Sequence, residues 1–159
     1  MRRSRVVALL AAGGFAVAGC SAPGPAEVTF YADGHTINTT PTITCDYTQP
    51  AQNACQTVRP PETMKVRPGK PVQVSVPGEV AKAPWRIIVE YITPQGEFKQ
   101  RDPVLITSLD RYAYTVTPPT PADRVSAVEI QAYSAVVSTG SGGSDIMPSD
   151  FWGLRLDQP

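Results

Sequence analysis

The stretch "WRIIVEYI", residues 85–92, is the clearest indication of how this chain folds. Large apolar or aromatic side chains occupy every second position, and residues of these types are favoured in strands. One face of the strand would carry Trp85, Ile87, Val89 and Tyr91, while the other would mix charged with apolar side chains. We therefore predict a central strand, with Trp85 in a core between two sheets.

The same alternation recurs on both sides of this stretch, with turn residues between the runs. In "PVQVSV", residues 71–76, every second residue is valine, which predicts a strand with one buried face. Asp33-Gly34 lies between two further strand-like runs and predicts a tight hairpin. The charged run "EFKQR", residues 97–101, predicts an edge strand.

The C-terminal half continues this pattern of strands and turns. Tyr112, Tyr114 and Val116 are predicted to point inward from one strand, and residues 125–133 form the next. The glycine- and serine-rich segment "STGSGGSDIMPSD", residues 138–150, predicts a mobile loop. A last strand would bury three alternating side chains, those of Trp152, Leu154 and Leu156.

These runs amount to seven to nine strands with no helix of any length. The chain has 17 prolines, which oppose long helices. The predicted fold class is therefore all-β, an immunoglobulin-like β-sandwich, with a small β-barrel as the alternative. Both Cys45 and Cys55 precede Trp85, so a bridge between them differs from the disulfide that joins the two sheets of antibody domains.

The first 19 residues have the organisation of a secretory signal peptide. Three arginines lie within residues 1–5, and an apolar and small-residue run of 14 follows at residues 6–19. This run is shorter than the roughly 20 residues that a membrane-spanning helix needs. A packed first helix is the alternative, but glycines at 13, 14 and 19 oppose it.

The segment Val17-Ala18-Gly19-Cys20 resembles the lipobox of bacterial lipoproteins. The resemblance implies that a diacylglycerol is attached to the Cys20 thiol and that the chain is cut just before this residue. We therefore expect residues 20–26 to be a lipidated cysteine with a short proline-containing tether. Residues 27–159 would form one β-sandwich domain, located on the extracytoplasmic face of the cell membrane.

The composition of the mature chain argues against nucleic acid as a partner. The leader contains three of the 14 basic residues and none of the 14 acidic ones, so residues 20–159 have a formal net charge of −3. No basic stripe of the kind that binds phosphate backbones is present in the sequence. We expect the partners to be the membrane, through the Cys20 anchor, and another protein of the cell envelope.

The two remaining cysteines, Cys45 and Cys55, are predicted to form a disulfide. They are an even number in an oxidising compartment and would close a short loop. In the chain-entropy model, closure of such a loop stabilises the fold by about 2.5–3 kcal/mol. Metal ligation is the alternative, but the chain has one histidine, and neither cysteine belongs to a C-x-x-C motif.

The order of these features resembles a family of uncharacterised lipoproteins from high-GC Gram-positive bacteria, known as a domain of unknown function. The segment "VRPGKPVQVSVPGEVAKAPW", residues 66–85, is the basis of this resemblance, with "VSVP" and "APW" as its most specific pieces. The resemblance implies a secreted, anchored domain and assigns no activity to it.

The sequence contains no recognisable catalytic motif, so we predict no enzyme activity, no metal site and no cofactor. The only histidine, His35, lies beside the predicted hairpin turn without an evident partner. The segment Gly140–Ser144 lacks the spacing of a nucleophile elbow or a phosphate-binding loop. A carboxylate-dependent envelope hydrolase is an alternative, and it would use Asp102, Asp110 or Asp150.

The main hypothesis is a non-catalytic binding or assembly module. It would contact an envelope protein by strand addition at residues 97–101 or through the segment 138–150. A carrier of a lipid or other apolar ligand is a further alternative. Four aromatic residues are candidates for a ligand or partner surface: Trp85, Tyr112, Tyr114 and Trp152.

The lipid anchor can be tested directly by mass analysis of the mature protein. We expect the mature N-terminus to be Cys20 carrying a diacylglycerol, and we expect Cys20→Ser to move the protein out of the membrane fraction. An unmodified thiol at Cys20, or a mature chain that retains residues 1–19, would contradict this prediction.

Overall fold

A computed structural model describes residues 24–138 and 144–157, which form two β-sheets packed face to face. The predicted β-sandwich is confirmed, and within the described residues the sheets do not close into a barrel. The one α-helix among these residues, α1, is only four residues long (Gly78–Ala81), and one 3₁₀ turn covers Ala51–Asn53.

The described residues contain twelve strands, more than the seven to nine predicted, because four of the paired segments are only three residues long and two of these four, β8 and β9, share one edge. The strands are β1 (Val28–Ala32), β2 (His35–Thr39), β3 (Ile43–Cys45), β4 (Cys55–Thr57), β5 (Glu62–Lys65), β6 (Val72–Ser75), β7 (Trp85–Ile92), β8 (Phe98–Gln100), β9 (Val104–Ile106), β10 (Ala113–Val116), β11 (Arg124–Ser138) and β12 (Ser144–Asp157).

The smaller sheet has the strand order β10-β6-β1-β2, and the larger has the order β4-β3-β12-β11-β7-β8. Strand β9 joins the larger sheet beside the first half of β7, and β8 pairs with the second half. Strand β5 pairs in parallel with the end of β12, and the other recorded pairings are antiparallel. The predicted edge strand is confirmed, since β8 lies at an edge and is exposed throughout.

The core between the sheets is built from the alternating residues that the sequence indicated. In β6 the buried side chains are valines, and in β7 they are Trp85, Ile87 and Val89. The alternation in β7 ends at Tyr91, which is half-buried, while Ile92 is buried. The pairing of β7 with β11 has a register shift between Val125 and Ala127, and a bulge of this kind changes which side chains face the core.

Several connections meet at one end of the sandwich, which we call the tether end because the described chain begins there. Strand β1 starts at this end, and the register of β1, β6 and β10 brings Thr29, Ser75 and Ala113 into line. Helix α1, between β6 and β7, and the connection 107–112, between β9 and β10, therefore lie at the tether end as well. The turns at residues 33–34, 68–70 and 94–96 lie at the opposite end.

Two predictions about side-chain exposure and loops are wrong. Residues 144–150 belong to β12 and are not part of a loop, because they pair with the end of β11. Residues 139–143 of the same predicted segment lie outside the described residues. Tyr112 precedes β10 and is exposed, whereas Tyr114 is partly buried and Val116 is buried.

An ion pair holds two turns together at the end opposite the tether end. Asp33 and Gly34 both have positive φ, 49° and 87°, as the predicted tight hairpin requires. The Asp33 carboxylate accepts three hydrogen bonds from Arg67. The donors are the side-chain Nη2, the side-chain Nε at 2.7 Å and the backbone N–H at 3.2 Å. These hydrogen bonds from Arg67 hold the pKa of Asp33 well below its usual range.

We expect Asp33→Asn to lower the melting temperature at neutral pH, because it removes the charge from the Arg67 pair. Asparagine tolerates positive φ, so the turn itself is kept. Since the folded-state pKa of Asp33 is depressed, its contribution is fully present above the ordinary pKa of 3.8 and declines as the pH falls below that value. The difference between wild type and variant should therefore shrink below about pH 4, as measured by thermal unfolding at a series of pH values.

The matched control is Asp102→Asn, which neutralises an exposed carboxylate elsewhere on the domain. This variant should unfold like the wild type between pH 4 and 7. Equal melting temperatures for Asp33→Asn and wild type at pH 7 would contradict the proposed contribution of the ion pair.

Candidate functional site

The most distinctive feature of the fold is a β-ribbon that continues past the sandwich at the tether end. Strand β11 pairs with β7 only as far as Ala132, and β12 pairs with β3 only at Asp150 and Phe151. Beyond these points, residues 133–138 and 144–149 form strand pairs only with each other in the described part of the chain, apart from one backbone hydrogen bond of 3.0 Å from the Tyr133 N–H to the Pro84 oxygen. We call these two segments the arm. Six residues of strand correspond to a length of about 20 Å.

A double irregularity marks the root of the arm. The register of β11 and β12 shifts on both sides of Tyr133, and Ser134 and Ser149 lie opposite each other without a regular pair. Their hydroxyls are hydrogen-bonded to each other, and Ser149 Oγ also donates to the Asp150 carboxylate over 2.8 Å. The neighbouring Pro148 has no N–H to contribute to a ladder, which suits a bulge. The ribbon therefore changes course where it leaves the sheet.

The disulfide hairpin lies beside the root of the arm and supports it. The predicted bridge between Cys45 and Cys55 is present and joins directly opposed residues of β3 and β4 within one sheet. From the loop that it closes, the Tyr47 hydroxyl donates a hydrogen bond of 2.8 Å to the Pro148 carbonyl oxygen. Burial raises the pKa of Tyr47, with a further contribution from Tyr133, so the phenol keeps its proton at neutral pH.

The arm exposes apolar side chains that no described part of the chain covers. Ile146 is 54% exposed and Met147 is 37% exposed. Successive residues of a strand point to opposite faces, so neither face of the ribbon is covered at these positions. An isolated two-stranded ribbon is marginally stable in water. The adjacent exposed side chains of Ile146 and Met147 make this element a candidate contact surface.

A groove of about 380 Å³ opens at the tether end, beside the root of the arm. A volume of this size lies at the lower end of the range for small-molecule sites. The groove has a mixed lining, with Glu79 and Asp150 as its carboxylates. Its apolar lining consists of Pro25, Ala26, Pro41, Val80, Ala83, Ala132 and Trp152.

The four aromatic residues predicted as a candidate surface do not lie on one surface. Trp85 and Trp152 are fully buried in the core between the sheets, and only Trp152 borders the groove. Their indole N–H groups donate to the carbonyl oxygens of Arg111, at 3.2 Å, and Ala26, at 3.0 Å. Tyr114 packs against the core with the Arg111 guanidinium over its ring, and Tyr112 is exposed.

The residues considered for catalysis are not gathered into one site. Asp102 and Asp110 are exposed in connections, while Asp150 lies at the root of the arm. His35 is exposed at the start of β2. In the described part of the chain, no histidine or lysine hydrogen-bonds to Ser134 or Ser149, although a serine nucleophile is activated by a neighbouring base. The Ser149–Asp150 contact serves the bulge at the root of the arm.

Two further classes of site were searched for among the described residues. These residues contain no group of three or more histidine, cysteine, aspartate or glutamate side chains that could hold a metal ion. They also contain no helix with the length and apolar character needed to cross a membrane. The predicted lipid attachment site, Cys20, lies outside the described residues.

Sequence reasoning missed the arm because its composition resembles that of a loop. The run "AVV" at residues 135–137 is typical of a strand, but "DIMPSD" at residues 145–150 contains a proline and two aspartates. The pairing of Val136 with Ile146 and of Ala135 with Met147 depends on the neighbouring strand. The available signal was a short apolar run on each side of the glycine- and serine-rich segment.

The fold defines the class of this protein as a two-sheet β-sandwich domain with an extended terminal hairpin. The chain belongs to a protein family of unknown function, DUF2771, which matches residues 21–157. The sequence resemblance to a domain of unknown function is therefore confirmed at the level of the family.

Similar chains occur in mycobacteria, which are high-GC bacteria. An uncharacterized protein of Mycobacterium tuberculosis (strain ATCC 25618 / H37Rv) is 27% identical over 135 residues, which cover 84% of this chain and 79% of the relative. An uncharacterized protein of Mycobacterium bovis has the same identity and coverage. No solved structure matches the chain.

Removal of the disulfide should destabilise the domain and the root of the arm together. We expect the double variant Cys45→Ser, Cys55→Ser to lose about 2.5–3 kcal/mol of unfolding free energy, because the open loop has more conformational freedom in the unfolded chain. Urea unfolding at equilibrium measures this loss.

Addition of a thiol reductant to the wild type should produce a similar loss, and it should leave the double variant unchanged. Gln52→Ser, in the same loop and exposed, is the control and should behave like the wild type. Equal unfolding free energies for the double variant and the oxidised wild type would contradict the prediction.

Proposed function

We propose that this protein is a lipid-anchored module on the outer face of the cytoplasmic membrane, which binds another envelope protein through the arm. The observation on which this proposal rests is the ribbon at residues 133–138 and 144–149, in which the consecutive apolar side chains of Ile146 and Met147 are exposed on opposite faces. The signal peptide and lipobox at residues 1–20 are the reason for the location. The function proposed is binding, without catalysis.

The charge of the arm indicates the chemistry of the partner surface. Between Arg124 and Arg155 the sequence has no lysine or arginine, while it has three acidic residues. One of them, Asp145, is exposed next to Ile146, and Asp150 lies at the root. A partner surface with apolar pockets rimmed by lysine or arginine would complement this arm, whereas an anionic lipid surface would repel it.

Contact was predicted either by strand addition at residues 97–101 or through the segment 138–150, and we favour the arm over β8. Strand β8 carries Lys99, whose ammonium group lies 2.9 Å from the Glu97 carboxylate. Hydrogen bonding to Glu97 raises the pKa of Lys99, so the charge is kept at neutral pH. A charged edge of this kind discourages pairing with another strand. The arm, by contrast, contains no lysine, and neither of its outer edges pairs with another described strand.

The proposal is tested by photo-crosslinking in living cells with a photoreactive residue in place of Met147. We expect a reproducible adduct with one envelope protein, identified by mass spectrometry. In a second experiment the photoreactive residue replaces Asp145. Its adduct with the same envelope protein should fall at least tenfold when Ile146→Ser and Met147→Ser are added. The reason is that loss of central apolar contacts typically costs more than about 1.4 kcal/mol of binding free energy.

Two controls separate the arm from general apolar exposure. A photoreactive residue at Lys99, on the β8 edge, should give no such adduct. Leu105→Ser removes an apolar side chain of similar exposure from β9 and should leave the Asp145 adduct unchanged. Adducts at Lys99 but none on the arm, or an adduct made only of two copies of this chain, would refute the proposal.

A further inference from the structure

The position at which the chain enters the fold restricts how the domain can sit on a membrane. Ala26 packs against the core, and its carbonyl oxygen accepts the hydrogen bond from Trp152. From Cys20 to Ala26 the chain can therefore span at most about 20 Å, even when fully extended. This is less than the diameter of a domain of this size, for which the radius of gyration alone is about 14 Å. A domain on so short a tether has its tether end close to the bilayer.

The connection 107–112 presents an apolar surface at this same end. Leu109 is 58% exposed and Tyr112 is 52% exposed. The connection is fixed to the sandwich by two consecutive backbone carbonyl groups, those of Arg111 and Tyr112. The Arg111 oxygen accepts from the Trp85 indole at 3.2 Å, and the Tyr112 oxygen accepts from the Val76 N–H at 2.8 Å.

The chemistry of this surface suits the interface between water and lipid. Tyrosine is enriched at that interface because its ring is apolar and its hydroxyl is polar. Arg111, within the connection, and Lys82, after helix α1, are exposed at this end. Long basic side chains of this kind can lay their aliphatic stems along an apolar surface while the charge stays in a polar layer. Glu27, Glu79 and Asp110 are also exposed at this end, so its basic residues do not outnumber its acidic ones.

We propose that the tether end lies flat on the bilayer, with Leu109 and Tyr112 inserted at the level of the lipid headgroups. This inference rests on the lipid anchor of the proposed function. Since the exposed basic residues at this end do not outnumber the acidic ones, apolar contact drives the insertion, and it does not require anionic lipids. The surface orients a domain that the anchor has already recruited, and it places the root of the arm close to the membrane.

The test uses the full lipidated protein in vesicles of phosphatidylcholine alone, with a fluorescent probe on a single introduced cysteine. The probe at Leu109→Cys reports on the tether end, and the probe at Gln95→Cys reports on the exposed turn at the opposite end. With a quencher attached to the lipid headgroups, we expect at least threefold stronger quenching at position 109 than at position 95. Addition of Tyr112→Ser should at least halve the quenching at 109, while Leu105→Ser should leave it unchanged.

The outcomes separate this inference from the proposed function. If the mature protein is found to carry no lipid and does not float with the vesicles, the anchor is refuted. Protein that floats but is quenched equally at both positions, or more strongly at 95, would refute the orientation alone. Quenching at 109 that appears only when anionic lipid is added would refute apolar insertion as its cause.

Discussion

The arrangement of this domain depends on two buried tryptophans that each make one hydrogen bond to the backbone. Trp85 and Trp152 fill the space between the sheets, and their N–H groups would be left unpaired in that core without an acceptor. The acceptors are the carbonyl oxygens of Arg111 and Ala26. These two contacts fix the loop that carries Leu109 and Tyr112, and the point where the chain enters the fold, to the same end of the sandwich.

The arm follows from a different constraint, the length of β11 and β12. A sheet offers partners to a strand only as far as its neighbours reach, and near the root of the arm β7 begins and β3 ends. The hairpin is therefore left to its own pairing, with support from the Tyr47 hydroxyl on the Pro148 carbonyl group. The disulfide between β3 and β4 stabilises the loop from which that hydroxyl comes.

The two proposals combine into one picture of a module at the membrane surface. The tether end would lie against the lipid, and the arm would leave the sandwich from that end. A partner that contacts the arm would then lie near the bilayer, as the extracytoplasmic part of a membrane protein does. Membership of a family of unknown function assigns no activity to the chain, so the partner must be identified by experiment.

By itself, the sequence determined the fold class, the core residues of β6, β7 and β12, the hairpin at Asp33-Gly34 and the disulfide, because each depends on neighbours in the chain or on a period of two. Only the tertiary structure decided that residues 144–150 form a strand and that Tyr112 lies outside. It also decided which backbone oxygens, those of Arg111 and Ala26, accept from the indole N–H groups of Trp85 and Trp152. Pairing partners, bulges and the ends of neighbouring strands are set by contacts between distant segments, and local alternation does not contain that information.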